Sequence, residues 1–96
     1  MSAKLSDAEI QSNLAKLGGW TLINGEITRT VMVKDFQVAL LFVNAVGLLA
    51  ESAQHHPDIT IKYNRITFGL TTHDSGGLTD KDFALAAQIN ALPLPK

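Results

Sequence analysis

The sequence predicts an α+β fold: a four-stranded antiparallel sheet with three helices packed on one face. Helix start and stop signals occur at three places, and two pairs of short, alternating apolar segments lie between them. Each pair is joined by a connection too short for a crossover, so its two strands must run antiparallel. The predicted order is α-β-β-α-β-β-α, in one domain covering residues 1–96.

The first helix is predicted over about residues 6–17. Ser6 and Glu9 have the spacing of a capping box, and a pair of glycines follows the helix and ends it. A hairpin with strands at 20–23 and 26–33 comes next. An Asn-Gly pair joins these strands and is the strongest short signal for a hairpin turn.

A long apolar helix is predicted from Asp35 to about Gln54. Its apolar residues occupy more than one stripe, which indicates burial on more than one side: Val38, Leu40, Leu41, Phe42, Val43, Val46, Leu48 and Leu49. In a chain of 96 residues, the second side is expected to face another subunit. Pro57 disfavours a helical residue before it, so the helix should end near His56. The apolar run is interrupted by Asn44 and is too short to span a bilayer.

A second hairpin and a last helix complete the predicted fold. Alternating apolar residues indicate the two strands, namely Ile59, Ile61 and Tyr63 in the first and Ile66, Phe68 and Leu70 in the second. Asn64-Arg65 would form the two-residue turn, since asparagine tolerates positive φ. Thr79 to Asp82 opens the last helix with a capping-box-like start, and Pro93 ends it.

Composition excludes several classes of function. The net charge is -1 and the basic residues are scattered, which argues against direct nucleic-acid binding. The chain has no cysteine, so disulfides, thiolate nucleophiles and cysteine zinc sites are impossible. The first residues lack the apolar region of a signal peptide. A cytoplasmic protein with no membrane attachment is therefore expected.

The three histidines fall at two places that the second hairpin brings together. His55 and His56 lie between the central helix and the first strand of this hairpin, and His73 follows its second strand. Because the strands are antiparallel, the start of one and the end of the other lie at the same end of the sheet. The three imidazoles are therefore expected to form one cluster, provided that Asn64-Arg65 is the turn.

Three roles are open to these imidazoles. One histidine at a helix end is more typical of a cap or a solvated residue, so only the cluster favours function. Three histidines could bind zinc with an open fourth position, but adjacent side chains tend to point apart and no H-x-x-x-H spacing occurs. General acid–base catalysis suits the cluster better, because an imidazole with its ordinary pKa of about 6.5 exchanges protons near neutral pH.

Other side chains are weaker candidates for the site. Glu51 lies one helical turn before the first of the adjacent histidines and can share a face with it. Asp82 is expected to stabilise the start of the last helix, because its negative charge lies near the positive end of the helix dipole. Thr72 and Ser75 could hydrogen-bond a ligand or simply close a loop. Trp20 is typical of core packing, although it could flank a planar ligand.

A longer motif surrounds the histidines and resembles the signature of the pterin-4a-carbinolamine dehydratases. That signature reads E-x3-H-H-P-x5-Y-x2-V-x5-T-H-x3-G-L-[ST]-x2-D. It is matched here by Glu51, His55-His56-Pro57, Tyr63, Ile66 in place of valine, Thr72-His73, Gly77-Leu78-Thr79 and Asp82. Gly19-Trp20 and Lys34-Asp35-Phe36 look similar too, so the resemblance is effectively full length. Ile59 departs from relatives that carry an aromatic residue near the site.

The resemblance implies an enzyme, a hydro-lyase. Aromatic amino acid hydroxylases leave their tetrahydropterin cofactor as a 4a-hydroxy adduct, and the family removes water from it to give quinonoid dihydropterin. It implies His55 and His73 as the acid–base pair and His56 as the pterin-binding residue. Glu51 would support the adjacent pair His55-His56. Pro57, Thr72, Asp82 and Trp20 would complete the binding set. The pterin would be the substrate, and no metal or cofactor would be needed.

The resemblance also implies an assembly and an alternative role. Family members are homodimers or homotetramers in which the long central helices pack together. Animal members also bind a homeodomain transcription factor and stabilise its dimer, so an interaction protein with a vestigial site is one alternative. A histidine-based metal-binding protein is another. The filled histidine motif favours the enzyme, with a functional link to an aromatic amino acid hydroxylase.

Overall fold

The chain folds into three α-helices and one antiparallel sheet, in the predicted order α-β-β-α-β-β-α. This architecture comes from a computed structural model, which describes residues 3–95. The elements are α1 (Asp7–Lys16), β1 (Thr21–Ile23), β2 (Glu26–Met32), α2 (Phe36–Ala53), β3 (Asp58–Lys62), β4 (Arg65–Leu70), a 3-10 turn at His73–Ser75, and α3 (Asp80–Ala91). The strands lie in the order β1-β2-β4-β3.

The core lies between the helices and one face of the sheet. β2 and β4 form the centre of the sheet, with Ile27 opposite Leu70 and Val31 opposite Ile66, and these four side chains are buried. All three helices contribute to the same core, through Ile10 of α1, Ala39, Phe42, Val46 and Ala50 of α2, and Phe83, Leu85, Ala86 and Ile89 of α3. The prediction of helices on one face is therefore confirmed.

The first hairpin turns at Asn24-Gly25, as predicted. Both residues have positive φ, 50° and 80°, which matches the right-handed twist of the flanking strands. β1 is nevertheless shorter than predicted, because Trp20 lies before the ladder and is buried.

The second hairpin turns one residue earlier than predicted. Lys62 pairs with Arg65, so the turn residues are Tyr63 and Asn64, and the prediction of Asn64-Arg65 was wrong. Tyr63 takes a φ of 52°. Asn64 ties the turn to the end of β2, because its Nδ2 donates to the Val33 carbonyl at 2.9 Å and its carbonyl accepts from the Val33 N–H at 3.0 Å. The meeting of the histidines was made conditional on a turn at Asn64-Arg65, and that condition was stricter than needed, because the strands are antiparallel with the turn at Tyr63-Asn64 as well.

α2 buries one stripe and leaves a second apolar surface outside the core. Within the described residues, Leu41 is 60% exposed and Leu48 is 72% exposed, and Phe36 and Leu40 are exposed as well. By length and composition alone this 18-residue helix could cross a membrane, contrary to the prediction that its apolar run is too short. Its other stripe packs into the domain core, through Ala39, Phe42, Val46 and Ala50.

The exposed surface of α2 leads to a prediction about assembly. We expect the chain to form an oligomer through this surface, because an uncovered apolar patch is stabilised by burial against a second copy. The double variant Leu41→Lys/Leu48→Lys should shift the mass measured by light scattering towards that of one chain, 10.3 kDa. Leu94→Lys, an equal change at an exposed leucine beyond α3, serves as the control. A wild-type protein that is monomeric at high concentration would contradict this prediction.

Candidate active site

His55 is positioned by the end of α2. The helix ends at Gln54, whose left-handed conformation, with φ of 52°, turns the chain towards β3. The His55 N–H still donates to the Ala50 carbonyl at 3.1 Å, which satisfies one of the last helical carbonyls. Pro57 follows the histidine pair and leads directly into β3. The His55 side chain is only 11% exposed.

Asp82 holds the inner edge of the His55 ring. Its carboxylate is fully buried in the first turn of α3, and its Oδ1 lies 2.5 Å from His55 Nε2. Its Oδ2 accepts from Thr72 Oγ1 at 2.7 Å and from the Thr79 N–H at 2.9 Å. A buried carboxylate is costly unless such partners satisfy it. Asp82 therefore caps α3, as predicted, and also anchors an imidazole.

His56 is held by Glu51 at the surface. His56 Nε2 and Glu51 Oε2 lie 2.5 Å apart, and both side chains are more than half exposed. Glu51 was expected to share a face with His55, but the left-handed turn at Gln54 breaks the helical spacing and brings His56 to the carboxylate instead. An exposed pair of this kind contributes little to stability. It does fix the orientation of the ring.

His73 completes the cluster. It opens the 3-10 turn after β4 and is exposed. All three histidines line one shallow pocket of about 210 Å³, together with Gln54, Thr71, Thr72 and Asp74. The expectation that the antiparallel hairpin brings the imidazoles together is confirmed.

A larger pocket of about 480 Å³ adjoins the histidine pocket. Thr71 and His73 line both pockets, so His73 stands at their boundary. The other residues that line the larger pocket come mainly from the N-terminal segment, the turn of the first hairpin and the loop before α3. It lacks His55, His56 and their carboxylate partners, so we assign the chemistry to the smaller pocket.

The loop after β4 has a defined shape. Thr72 and Gly77 exchange backbone hydrogen bonds of 3.2 and 3.3 Å across it. The Leu5 N–H donates to the Leu78 carbonyl at 2.8 Å and ties the N-terminal segment to the loop. Gly77 packs against the side chain of Lys4, and a Cβ added there would lie 2.9 Å from Lys4 Cε and displace the end of that flexible side chain. The backbone hydrogen bonds fix the shape of the loop that carries Thr72 and His73.

Trp20 does not line the histidine pocket and lies at a distance from it. Its indole N–H donates to Asn90 Oδ1 at 2.9 Å, and the side chain is buried. Asn90 lies about 12 Å further along α3 than Asp82. Arg29 donates to the same Asn90 oxygen at 2.7 Å, and burial lowers the pKa of its guanidinium group. This part of the expected binding set therefore packs in the core, which was the other role considered for Trp20.

Comparison with known proteins shows which family the chain belongs to. Residues 3–92 match the sequence profile of the family described as Pterin 4 alpha carbinolamine dehydratase. The chain belongs to this family. It is 55% identical over 89 residues to a protein of Chloroflexus aurantiacus that is named as a pterin-4-alpha-carbinolamine dehydratase, covering 93% of this chain and 96% of that protein. A protein of Nostoc sp. with the same name is 53% identical over 92 residues, covering 96% of this chain and 99% of the relative.

Two solved structures share the fold. A transcriptional coactivator/pterin dehydratase from Brucella melitensis is 36% identical, with a TM-score of 0.87 and coverage of 92% of this chain and 96% of that one. A pterin dehydratase-like RuBisCO assembly factor of the α-carboxysome is 18% identical, with a TM-score of 0.63 and coverage of 76% and 87%. The second likeness concerns the fold alone.

Proposed function

We propose that this pterin dehydratase family member removes water from a 4a-hydroxytetrahydropterin, giving a quinonoid dihydropterin. The observation that carries the proposal is the convergence of three imidazoles on one pocket, two of them hydrogen-bonded to carboxylates. The reaction consists of two proton transfers around one C–O bond cleavage. Imidazoles are the side chains best suited to such transfers near neutral pH.

The proposed reaction divides the work among the histidines. The C4a–O bond breaks as the hydroxyl group receives a proton and leaves as water. A proton leaves the adjacent ring nitrogen, and its bonding electrons form the new C=N bond. His55 and His73 would be the acid–base pair at opposite sides of the pterin. His56, steadied by Glu51, would hold the ring from the exposed side.

The proposed chemistry needs no metal or cofactor. Among residues 3–95, no three His, Asp or Glu side chains are grouped so that they could hold a metal ion together. Asp82 Oδ2 is already occupied by two donors, and its Oδ1 faces His55. Metal independence remains a prediction, which metal analysis of the purified protein and activity after chelator treatment would test.

A second candidate function is that of an interaction protein. The exposed apolar surface of α2 favours it, and so does the Brucella melitensis relative, whose name includes a transcriptional coactivator role. Under this alternative the histidine pocket would be vestigial and would not bind pterins. Direct pterin binding at the imidazoles therefore distinguishes the two proposals. If the protein is the proposed enzyme, we also propose that it is cytoplasmic and that it serves an aromatic amino acid hydroxylase.

Titration with a stable dihydropterin, followed by NMR, tests the proposed function at the site. We expect the ring signals of His55, His56 and His73 to shift together and to saturate. His56→Ala should weaken binding by about tenfold, since one good contact is worth roughly 1.4 kcal/mol. Lys81→Ala, an exposed change outside the pocket, serves as the control. Absence of any imidazole shift at millimolar pterin would contradict the proposal.

A further inference from the structure

With the Asp82 carboxylate ionised, the hydrogen bonds around it have one consistent direction. The Thr79 N–H donates to Asp82 Oδ2, and so does the hydroxyl of Thr72. Because the Thr72 hydrogen is used in that bond, its oxygen must be the acceptor in the 2.9 Å contact with the Thr79 hydroxyl. Thr79 therefore donates to Thr72, and Thr72 donates to Asp82. All three residues are buried, so water does not compete.

The same ionised carboxylate determines which nitrogen of His55 carries the hydrogen. An ionised carboxylate only accepts hydrogen bonds, so His55 Nε2 must carry the hydrogen in the 2.5 Å contact with Asp82 Oδ1. A neutral imidazole has one N–H, and Nδ1 then carries a lone pair. None of the hydrogen bonds among residues 3–95 engages this atom. Nδ1 is therefore the His55 atom left for a ligand in the histidine pocket.

We propose that Asp82, Thr72 and Thr79 are positioning residues that hold His55 as its Nε2–H tautomer and make Nδ1 the proton acceptor of the site. The catalytic part of this inference rests on the proposed function. Neutral His55 takes the proton from the pterin ring nitrogen, and the electrons of that N–H bond form the C=N bond as the C4a–O bond breaks. A protonated His73 supplies the proton that leaves with the hydroxyl group as water. The resulting His55 imidazolium is stabilised by Asp82.

The tautomer can be measured without substrate by long-range ¹H–¹⁵N NMR of the imidazole nitrogens. We expect Nε2 of His55 to carry the hydrogen in the wild-type protein and Nδ1 to carry none at a pH where the ring is neutral. In Asp82→Asn the amide oxygen should stay with the donors of Thr72 and Thr79, so the NH₂ group would face His55. The ring should then change to the Nδ1–H tautomer, and kcat should fall about 100-fold or more with little change in KM.

Two further variants make the test specific. Asp80→Asn removes the same charge from the first turn of α3 but touches none of the network, so it should leave the tautomer and kcat unchanged. Thr79→Val keeps the backbone donor and the shape but loses the hydroxyl, and should lower kcat by roughly three- to tenfold. Thr79→Ser, which keeps the hydroxyl, should have a kcat close to that of the wild-type protein. A purely structural threonine would change stability without this kinetic pattern.

The outcomes separate this inference from the proposed function. An Nδ1–H tautomer in the wild-type protein would overturn the inference, and so would an Asp82→Asn variant with the wild-type tautomer and kcat. In both cases dehydration by the wild-type protein would leave the proposed function standing. If the tautomer is as expected but the wild-type protein does not accelerate dehydration, the positioning of His55 stands and its catalytic use is refuted.

Discussion

The variant His55→Ala/His73→Ala is expected to lose nearly all catalysed dehydration. Each positioned acid or base contributes about 10²–10⁴-fold to a rate, and residues that act together do not add independently. We therefore expect kcat to fall at least about 10³-fold, measured by stopped-flow absorbance of quinonoid product and corrected for the spontaneous reaction. The pocket is formed by backbone turns that do not use these rings, apart from the His55 bond to Asp82.

The matched comparison is His56→Ala, which removes an imidazole from the same pocket. Because His56 is assigned to binding, its loss should raise KM with a much smaller effect on kcat. Circular dichroism and thermal unfolding would show that each variant is folded. Near-full activity in the double variant would refute the assignment of His55 and His73.

The largest expected effect on stability concerns Asn90, at the far end of α3 from the pocket. Its Oδ1 accepts from the Trp20 indole and from Arg29, and its Nδ2 donates to the Gly18 carbonyl at 2.9 Å. Asn90→Leu keeps a similar volume but leaves these groups without that partner. We expect the free energy of unfolding to fall by about 2–4 kcal/mol, which lowers Tm by roughly 10 °C or more in a domain of this size.

Gln88→Leu provides the control for this prediction. Gln88 lies on the exposed face of the same helix, so the same type of substitution should change stability by less than about 0.5 kcal/mol. Denaturant unfolding at one fixed protein concentration measures both variants, since any oligomer makes stability depend on concentration. Equal stability of the Asn90 and Gln88 variants would contradict the role of Asn90.

The sequence predicted correctly the helix caps and turns that depend only on neighbouring residues. The capping box of Ser6 and Glu9 is formed, and Asn24-Gly25 makes the expected turn. The second turn was misplaced because the two alternatives put every strand residue on the same face. Pairing Ile61 with Ile66 or with Phe68 gives the same alternation, so periodicity cannot choose between them. The choice is associated with contacts between Asn64 and Val33, 31 residues apart, which no local pattern reveals.

At the site, too, the sequence predicted some features and missed contacts between distant residues. Antiparallel topology was enough to bring the histidines together, because it depends on strand direction and not on exact register. The bond between His55 and Asp82 was not predicted, since it joins residues 27 positions apart and capping already explained Asp82. Thr79 was considered as the start of a helix and as part of the family signature, but its hydroxyl was not connected to His55. A capping aspartate has a second carboxylate oxygen, and asking what that oxygen contacts would have drawn attention to this network.

The most direct test is the rate at which the wild-type protein dehydrates a freshly generated 4a-hydroxytetrahydropterin, compared with buffer alone. We expect saturable acceleration that is proportional to protein concentration, is retained after chelator treatment and is lost in the His55→Ala/His73→Ala variant. A wild-type rate equal to that of buffer, in folded protein over a range of pterin concentrations, would contradict the proposal that this pocket is a dehydratase active site.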